Sequence, residues 1–143
     1  MHSAYERVFQ WRAGVLMSER YDDLASQFTL PVEIDIVGHR TTFACRDDLA
    51  LYFRRYHVAL KKKGVDGLEA RVVAVGLNEG QRQRVWVRWL ECDHLGCKVG
   101  ISQAVYTCIP CSGGPLTSKV EYTQFSMTEF AGLTLQRRLK GMR

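Results

Sequence analysis

The sequence predicts an α+β fold in which three N-terminal helices cover one face of a mostly antiparallel sheet. Before Gly64, apolar residues recur mainly three and four positions apart, which is the spacing of a helix with one buried face. After Gly64 they alternate with polar residues, as in strands. The four alternating segments are separated by the turn-type sequences NEGQ, DHLG and SGGP, so they form a meander. One face of the meander must be buried, and the helices are the only material that can cover it.

Each of the three helices has a recognisable start or end. The first begins at Ser3 and Glu6, which have the spacing of a capping box. The second is expected to end at Pro31. The third begins with two aspartates at Asp47 and ends with three lysines before Gly64, as helix C-termini prefer. Their apolar faces, in chain order, are Ala4, Val8, Trp11 and Val15; Tyr21, Leu24 and Phe28; and Leu49, Tyr52, Phe53, Tyr56 and Leu60.

A short hairpin precedes the third helix. The segment VEIDIV alternates, with Val32, Ile34 and Ile36 on one face and Glu33 and Asp35 on the other. The turn Gly38-His39 leads into the short strand RTTF. The four longer strands after the third helix are predicted in ARVVAVGL, RVWVRWLEC, VGISQAVYTCI and SKVEYTQFSM.

Length and composition indicate one domain. The chain has 143 residues, a common size for a single domain. We place that domain at residues 1–128 and a basic tail, expected to be peripheral or mobile, at residues 129–143. The net charge of +5 is concentrated partly in this tail, but no nucleic-acid-binding motif accompanies it, so nucleic acid is not an expected partner.

The expected compartment is the cytoplasm. No apolar run approaches the ~18 residues that span a bilayer, so we expect no membrane association. The N-terminus lacks an apolar signal core because charged and amide side chains interrupt it. Five cysteines, an odd number, fit a reducing environment.

Two pairs of cysteines have the spacing of a zinc site. They are Cys92 with Cys97 and Cys108 with Cys111, and four such thiolates can hold structural zinc. However, Cys97 and Cys108 lie at opposite ends of one predicted strand, roughly 36 Å apart at ~3.3 Å per residue. Zinc ligands must converge on one ion, so we expect no bound metal and inert cysteines.

Three segments carry a resemblance to a known family: LPVEIDIVG, RDDLALYFRRYHVALKKKG and RVWVRWLE. With the order of elements, they resemble the nuclear transport factor 2-like superfamily, and its SnoaL-like branch in particular. The resemblance implies a cone-shaped α+β barrel, the cystatin-like fold, in which a curved sheet holds the helices in its concavity around an apolar pocket. Members include isomerases, dehydratases, polyketide cyclases and binding proteins without chemistry, so the fold does not select a function.

Asp35 is the candidate catalytic residue. Its setting D-I-V-G is similar to the D-x-V-G segment that carries the general base of ketosteroid isomerases in this superfamily. Those enzymes also place a tyrosine on the first helix, where this chain has Trp11 and Arg12, and an acid on a late strand, where VGISQAVYT has none. The alternative is that Asp35 and Glu33 face water.

Aromatic side chains should form the pocket wall. The expected lining residues are Trp11, Tyr52, Tyr56, Trp89 and Tyr106, since tyrosine and tryptophan combine apolar surface with one polar group. Alternation puts Trp86 and Trp89 on opposite faces of their strand, and the sequence leaves open which face lines the pocket. A large apolar residue on each face predicts a homodimer through the outer face of the sheet. His57, one turn after Phe53, is expected at the edge of the core.

Two functions remain open at this point. One is an enzyme without cofactor that performs acid/base chemistry, with Asp35 as proton carrier, on a small apolar molecule. The other is a non-catalytic module for ligand binding or dimerisation. The enzyme needs at least two ionisable groups that converge in one cavity, whereas the binding module needs only the cavity or the exposed sheet.

Overall fold

The computed structural model describes residues 2–127, which form three helices and a six-stranded sheet. The predicted basic tail at 129–143 lies outside the described residues. The elements are α1 (His2–Met17), α2 (Tyr21–Ala25), β1 (Phe28–Ile36), β2 (His39–Phe43), α3 (Arg46–Lys62), β3 (Gly67–Val75), β4 (Gln83–Cys92), β5 (Lys98–Ile109) and β6 (Leu116–Gln124). The predicted order of helices, hairpin and meander is therefore confirmed.

The sheet has the strand order β2-β1-β6-β5-β4-β3. Neighbouring strands run antiparallel except β1 and β6, which are parallel. This pairing joins the hairpin β1–β2 to the end of the meander, so a single curved sheet results. Because β2 and β3 remain as edges, the sheet forms an open cone and does not close into a barrel. The predicted α+β class with a mostly antiparallel sheet is confirmed.

Helix α1 is bound to the edge strand β3 by its own side chains. Glu6 accepts a hydrogen bond from the backbone N–H of Val72 (3.0 Å), and Gln10 bonds both Ala70 N–H and Leu68 C=O (2.9 Å each). The prediction of a capping box is therefore wrong, because the Glu6 carboxylate binds strand β3 and not the start of its own helix. These contacts occupy backbone groups that an edge strand would otherwise leave unpaired.

The buried face of α1 differs from the predicted one. Phe9, Arg12 and Leu16 are buried, whereas Ala4 and Trp11 are exposed. Apolar residues surround this helix on more than one side, so its periodicity allowed two orientations. The sheet selects the side that carries Phe9, and Arg12 is buried with it.

The second helix is shorter than predicted. It ends at Ala25, and Phe28 already belongs to β1, so Pro31 lies inside a strand and does not end a helix. The reason is tertiary: Phe28 pairs with Thr117 of β6, and the Thr117 N–H donates to the carbonyl of Gln27 (2.9 Å). Pairing with a strand nearly ninety positions away overrides the local helical spacing.

Helix α3 matches its prediction closely. All five residues of its predicted apolar face are buried, and His57 is buried beside them. Asp47 and Asp48 lie in its first turn and Lys61 and Lys62 in its last, as the helix dipole favours. Among residues 2–127, no helix combines the length and the hydropathy that crossing a bilayer requires.

Candidate functional site

A cavity lies between the concave face of the sheet and the helices. Its volume is about 60 Å³, and it lies within a wider space of about 570 Å³ that is partly open to solvent. The smaller value limits an occupant that leaves the walls in place. The lining residues are Phe9, Arg12, Ala13, Leu16, Leu24, Phe28, Ile34, Tyr52, Phe53, Tyr56, Leu68, Trp89, Tyr106, Val120 and Tyr122.

Strand β4 presents its odd-numbered residues to the concave side. Val87 and Trp89 are buried there, while Arg88 on the other face is exposed. Trp86, also on the outer face, is half-buried, and the guanidinium carbon of Arg84 lies 5.3 Å from the centroid of its ring. The alternative that the sequence left open is thus resolved in favour of the face that carries Trp89.

Four of the five expected lining residues meet at this cavity. Tyr52 and Tyr56 come from α3, Trp89 from β4 and Tyr106 from β5. Trp11 does not join them, since its side of α1 is turned outward and the residue is 46% exposed. It lines instead a shallow outer groove beside the β5–β6 turn, together with Ala4, Arg7, Val8, Gln27, Gly113, Gly114 and Pro115.

The polar groups of the cavity wall form a connected network. Trp89 Nε1 donates to the Tyr106 hydroxyl (2.7 Å), Tyr106 is hydrogen-bonded to Tyr122, and Tyr122 to Tyr56. Burial raises the pKa of Tyr52, Tyr56, Tyr106 and Tyr122 above the usual value of a phenol. These hydroxyls are therefore neutral near pH 7 and can donate hydrogen bonds.

Arg12 is the charged member of the wall. Arg12 is only 4% exposed. Its guanidinium carbon lies 5.0 Å from the ring centroid of Phe9 and 5.2 Å from that of Phe28. Burial lowers the pKa of Arg12, but an arginine side chain keeps its proton in proteins. Sequence reasoning did not select this residue, because a charged side chain among apolar ones on a helix normally marks the exposed face.

Asp35 lies away from the cavity. Its strand neighbours Ile34 and Ile36 are buried on the concave side, so the Asp35 side chain projects from the outer face. Its Oδ1 accepts the N–H of Gly38 (2.7 Å) and its Oδ2 lies 3.5 Å from Arg40 Nε. Both contacts belong to the β1–β2 hairpin. Asp35 therefore stabilises the hairpin turn and pairs with Arg40, and it does not contact the tyrosines of the cavity wall.

A completely buried carboxylate, that of Glu91, lies on the concave side of the sheet. It accepts hydrogen bonds from Lys63 Nζ (2.9 Å), Ser126 Oγ (2.5 Å) and Ser102 Oγ (3.3 Å). Gly100 faces the same carboxylate so closely that a β-carbon there would collide with Glu91 Oε1. Glu91 is absent from the cavity lining, so this cluster fixes the ends of β4, β5 and β6 and leaves the wall to the tyrosines.

His57 and the cysteines take structural positions. His57 Nδ1 lies 2.8 Å from the Tyr21 hydroxyl, and burial lowers the pKa of this imidazole. Cys97 precedes β5 and Cys108 lies near its far end, so the two cysteine pairs are separated by the strand as expected. Within residues 2–127, no three His, Cys, Asp or Glu side chains are grouped so that they could hold a metal ion.

Solved structures with the same architecture come from several bacteria. A domain of unknown function with a cystatin-like fold from Nostoc punctiforme superimposes with a TM-score of 0.64 at 15% identity, covering 98% of this chain and 92% of that one. An NTF2-like protein with a cystatin-like fold from Novosphingobium aromaticivorans gives 0.62 at 16% identity, covering 90% and 84%. Aln2 from a Streptomyces species gives 0.62 at 10% identity, covering 82% and 86%.

No protein-family model matches the chain, and no curated protein matches it in sequence. Identities of this size show a shared fold and carry no activity from one protein to another. The resemblance to the nuclear transport factor 2-like superfamily is confirmed at that level: the chain has the cystatin-like fold of NTF2-like proteins.

Proposed function

We propose that the protein binds a small, largely apolar molecule in the cavity of the cone, without chemical conversion. The observation that carries the proposal is the composition of the cavity wall, in which aliphatic and aromatic side chains surround a few connected hydrogen-bond donors. Such a combination is typical of small-molecule sites, where apolar surface supplies affinity and a few polar groups fix the orientation.

The catalytic alternative lacks a proton acceptor at the cavity. Among the lining residues within the described chain there is no Asp, Glu or His. The tyrosine hydroxyls remain protonated near pH 7 because burial raises their pKa values, so they cannot accept a proton. Asp35, the residue proposed for this role, projects from the opposite face of the sheet. General acid/base chemistry needs a group that changes protonation near neutral pH and reaches the substrate. The binding function therefore has the stronger support.

The size of the cavity limits the ligand. One water molecule needs at least ~10–15 Å³ of space measured by sphere centres, so about 60 Å³ corresponds to roughly four waters. A single six-membered ring with a small substituent has about the right size for this cavity, whereas a fused-ring molecule would require the walls to move.

A cavity-filling substitution tests this function. Ala13 lines the cavity and is buried, so Ala13→Leu should occupy ligand space. Ala4→Leu adds the same atoms on the exposed side of the same helix and is the matched control. Calorimetric titration with toluene should give an affinity at least tenfold weaker for Ala13→Leu and unchanged for Ala4→Leu. Equal toluene binding by all three proteins, or none by the unaltered chain, would count against the proposal.

We also propose a homodimer through the outer face of the sheet. That face carries the half-buried Trp86 and, on the adjacent strand, Ile101 with 38% of its surface exposed. Apolar side chains gathered on one exposed face are typical of association surfaces. Light scattering at micromolar concentration should report twice the chain mass of 16.4 kDa, and a value equal to that mass would refute the dimer.

A further inference from the structure

Arg12 places a positive charge inside an otherwise uncharged wall without a negative charge to balance it. In the described part of the chain, no Asp or Glu oxygen lies within 4.0 Å of its guanidinium nitrogens. The ionisable groups that act on Arg12 most strongly are the thiol of Cys108 and the hydroxyl of Tyr106. Both are neutral near pH 7, because burial raises the pKa of each.

The hydrogen bonds of Arg12 are made to neutral acceptors and are incomplete. Nη1 donates to Thr117 Oγ1 (2.7 Å), and Nη2 donates to the carbonyls of Pro115 (3.1 Å) and Gln27 (3.3 Å). The Nε atom is buried and has no hydrogen-bond partner. A guanidinium has five N–H donors in a planar fork that suits a carboxylate, so the Arg12 side chain retains donor capacity at the cavity wall.

A buried charge is unfavourable unless an opposite charge or a full set of hydrogen bonds compensates it. Here the protein supplies neither, and the open space beside Arg12 is the ligand cavity. We propose that the cavity binds a small monoanion, an aromatic or alicyclic ring with one carboxylate, whose negative charge pairs with Arg12. This inference rests on the proposed binding function and deepens it by naming the class of ligand.

The remaining groups of the cavity fit this class of ligand. The ring would contact apolar walls such as Phe53 and Leu16, and the neutral hydroxyl of Tyr106 can donate a further hydrogen bond to an anion. A single cation favours a ligand with a single negative charge, since a second charge would be buried without a partner. The class is therefore a small ring carboxylate, and not a phosphate ester with two charges.

Arg12 also has a structural role that the test must separate from ligand binding. It joins the loop before β1, through Gln27, to the turn before β6, through Pro115. Loss of Arg12 could weaken the fold whether or not an anion binds. A comparison of charged and neutral ligands on the same folded protein removes this ambiguity, because stability affects both ligands alike.

The experiment is a calorimetric titration with benzoate, benzamide and toluene, which share one ring and differ in charge and polarity. For the unaltered chain we expect benzoate to bind at least tenfold more tightly than benzamide. In Arg12→Gln the ratio of the two affinities should fall to about one. Arg7→Gln removes an exposed arginine five positions earlier on the same helix and should keep the preference.

The outcomes separate the two proposals. Toluene binding without a preference for benzoate over benzamide would overturn the anion class and leave the cavity function standing. Absence of binding by all three probes would overturn both. A benzoate preference that persists in Arg12→Gln would remove Arg12 from the site. If Arg12→Gln does not fold, the preference of the unaltered chain, compared with that of Arg7→Gln, decides whether the class is correct.

Discussion

The two faces of the sheet hold their charged residues in opposite ways. On the outer face, Glu33 and Asp35 of β1 lie 3.4 to 3.8 Å from the cations of Arg40 and Lys119, and water reaches all four side chains. On the concave side, Glu91 has no exposed surface, and Arg12 is buried without a carboxylate. Outer charges exchange partners with water at little cost, whereas each inner charge depends on specific neighbours. The environment of a charge, and not the residue type, therefore indicates where function lies.

The largest loss of stability is expected from a substitution on the concave side, at the Lys63–Glu91 pair. Lys63→Met leaves the Glu91 carboxylate buried with only serine hydroxyls as donors. We expect the free energy of unfolding, measured by urea denaturation, to fall by about 2 kcal/mol, which is below the ~3–5 kcal/mol of a fully buried broken pair because Lys63 is partly solvated. Lys62→Met, one residue earlier and exposed, should change it by less than ~0.5 kcal/mol. Equal effects of the two substitutions would remove the distinction between the faces.

A smaller loss of stability is expected from the buried His57 as the pH falls. Its pKa is lowered in the folded chain, so the unfolded state binds a proton first as the pH drops below ~6.5. The contribution of His57 to stability should be constant with pH above that value and decrease from there toward the lowered pKa. His57→Gln should flatten this part of the urea-denaturation profile, whereas His94→Gln, at an exposed turn, should not. An unchanged slope in His57→Gln would assign the pH dependence to another group.

The smallest effect is expected on the outer face, at Asp35. Asp35→Asn keeps an oxygen that can accept the Gly38 N–H, and it removes only a partly solvated ion pair with Arg40. The free energy of unfolding should change by less than ~0.5 kcal/mol, and toluene affinity should be unaltered. A loss of ligand binding in Asp35→Asn would contradict its placement outside the cavity and restore the catalytic alternative.

Where the sequence predicted the fold correctly, local pattern and tertiary packing agree. Helix α3 has five apolar residues on one face and charged residues on the other, so only one orientation buries it well. Helix α1 lacks this contrast: Trp11 and Phe9 are both large and apolar but lie on different sides. The choice between them depends on the curved sheet, which local periodicity does not describe. Local periodicity therefore places Trp11 in the cavity wall and does not indicate that Phe9 and Arg12 lie there.

The site was predictable only in part for the same reason. Alternation correctly separated Trp89 from Trp86, and the exposed arginines Arg84 and Arg88 on the face of Trp86 are the signal that could have identified the outer side. Arg12 gave no such signal, since polar residues are normally placed outside. Its burial follows from carbonyl and hydroxyl acceptors contributed by segments up to 105 positions away in the chain.

The three tryptophans of the chain report on whether a ligand binds in the cavity on the concave side. Trp89 donates its indole N–H to Tyr106 in the cavity wall, Trp86 lies on the outer face, and Trp11 lies at the outer groove. Proton–nitrogen NMR records each indole N–H separately during a titration with toluene. We expect the Trp89 signal to shift progressively while the Trp11 and Trp86 signals do not. A shift confined to Trp11 would move the ligand to the outer groove, and three unchanged signals would contradict the cavity as a binding site.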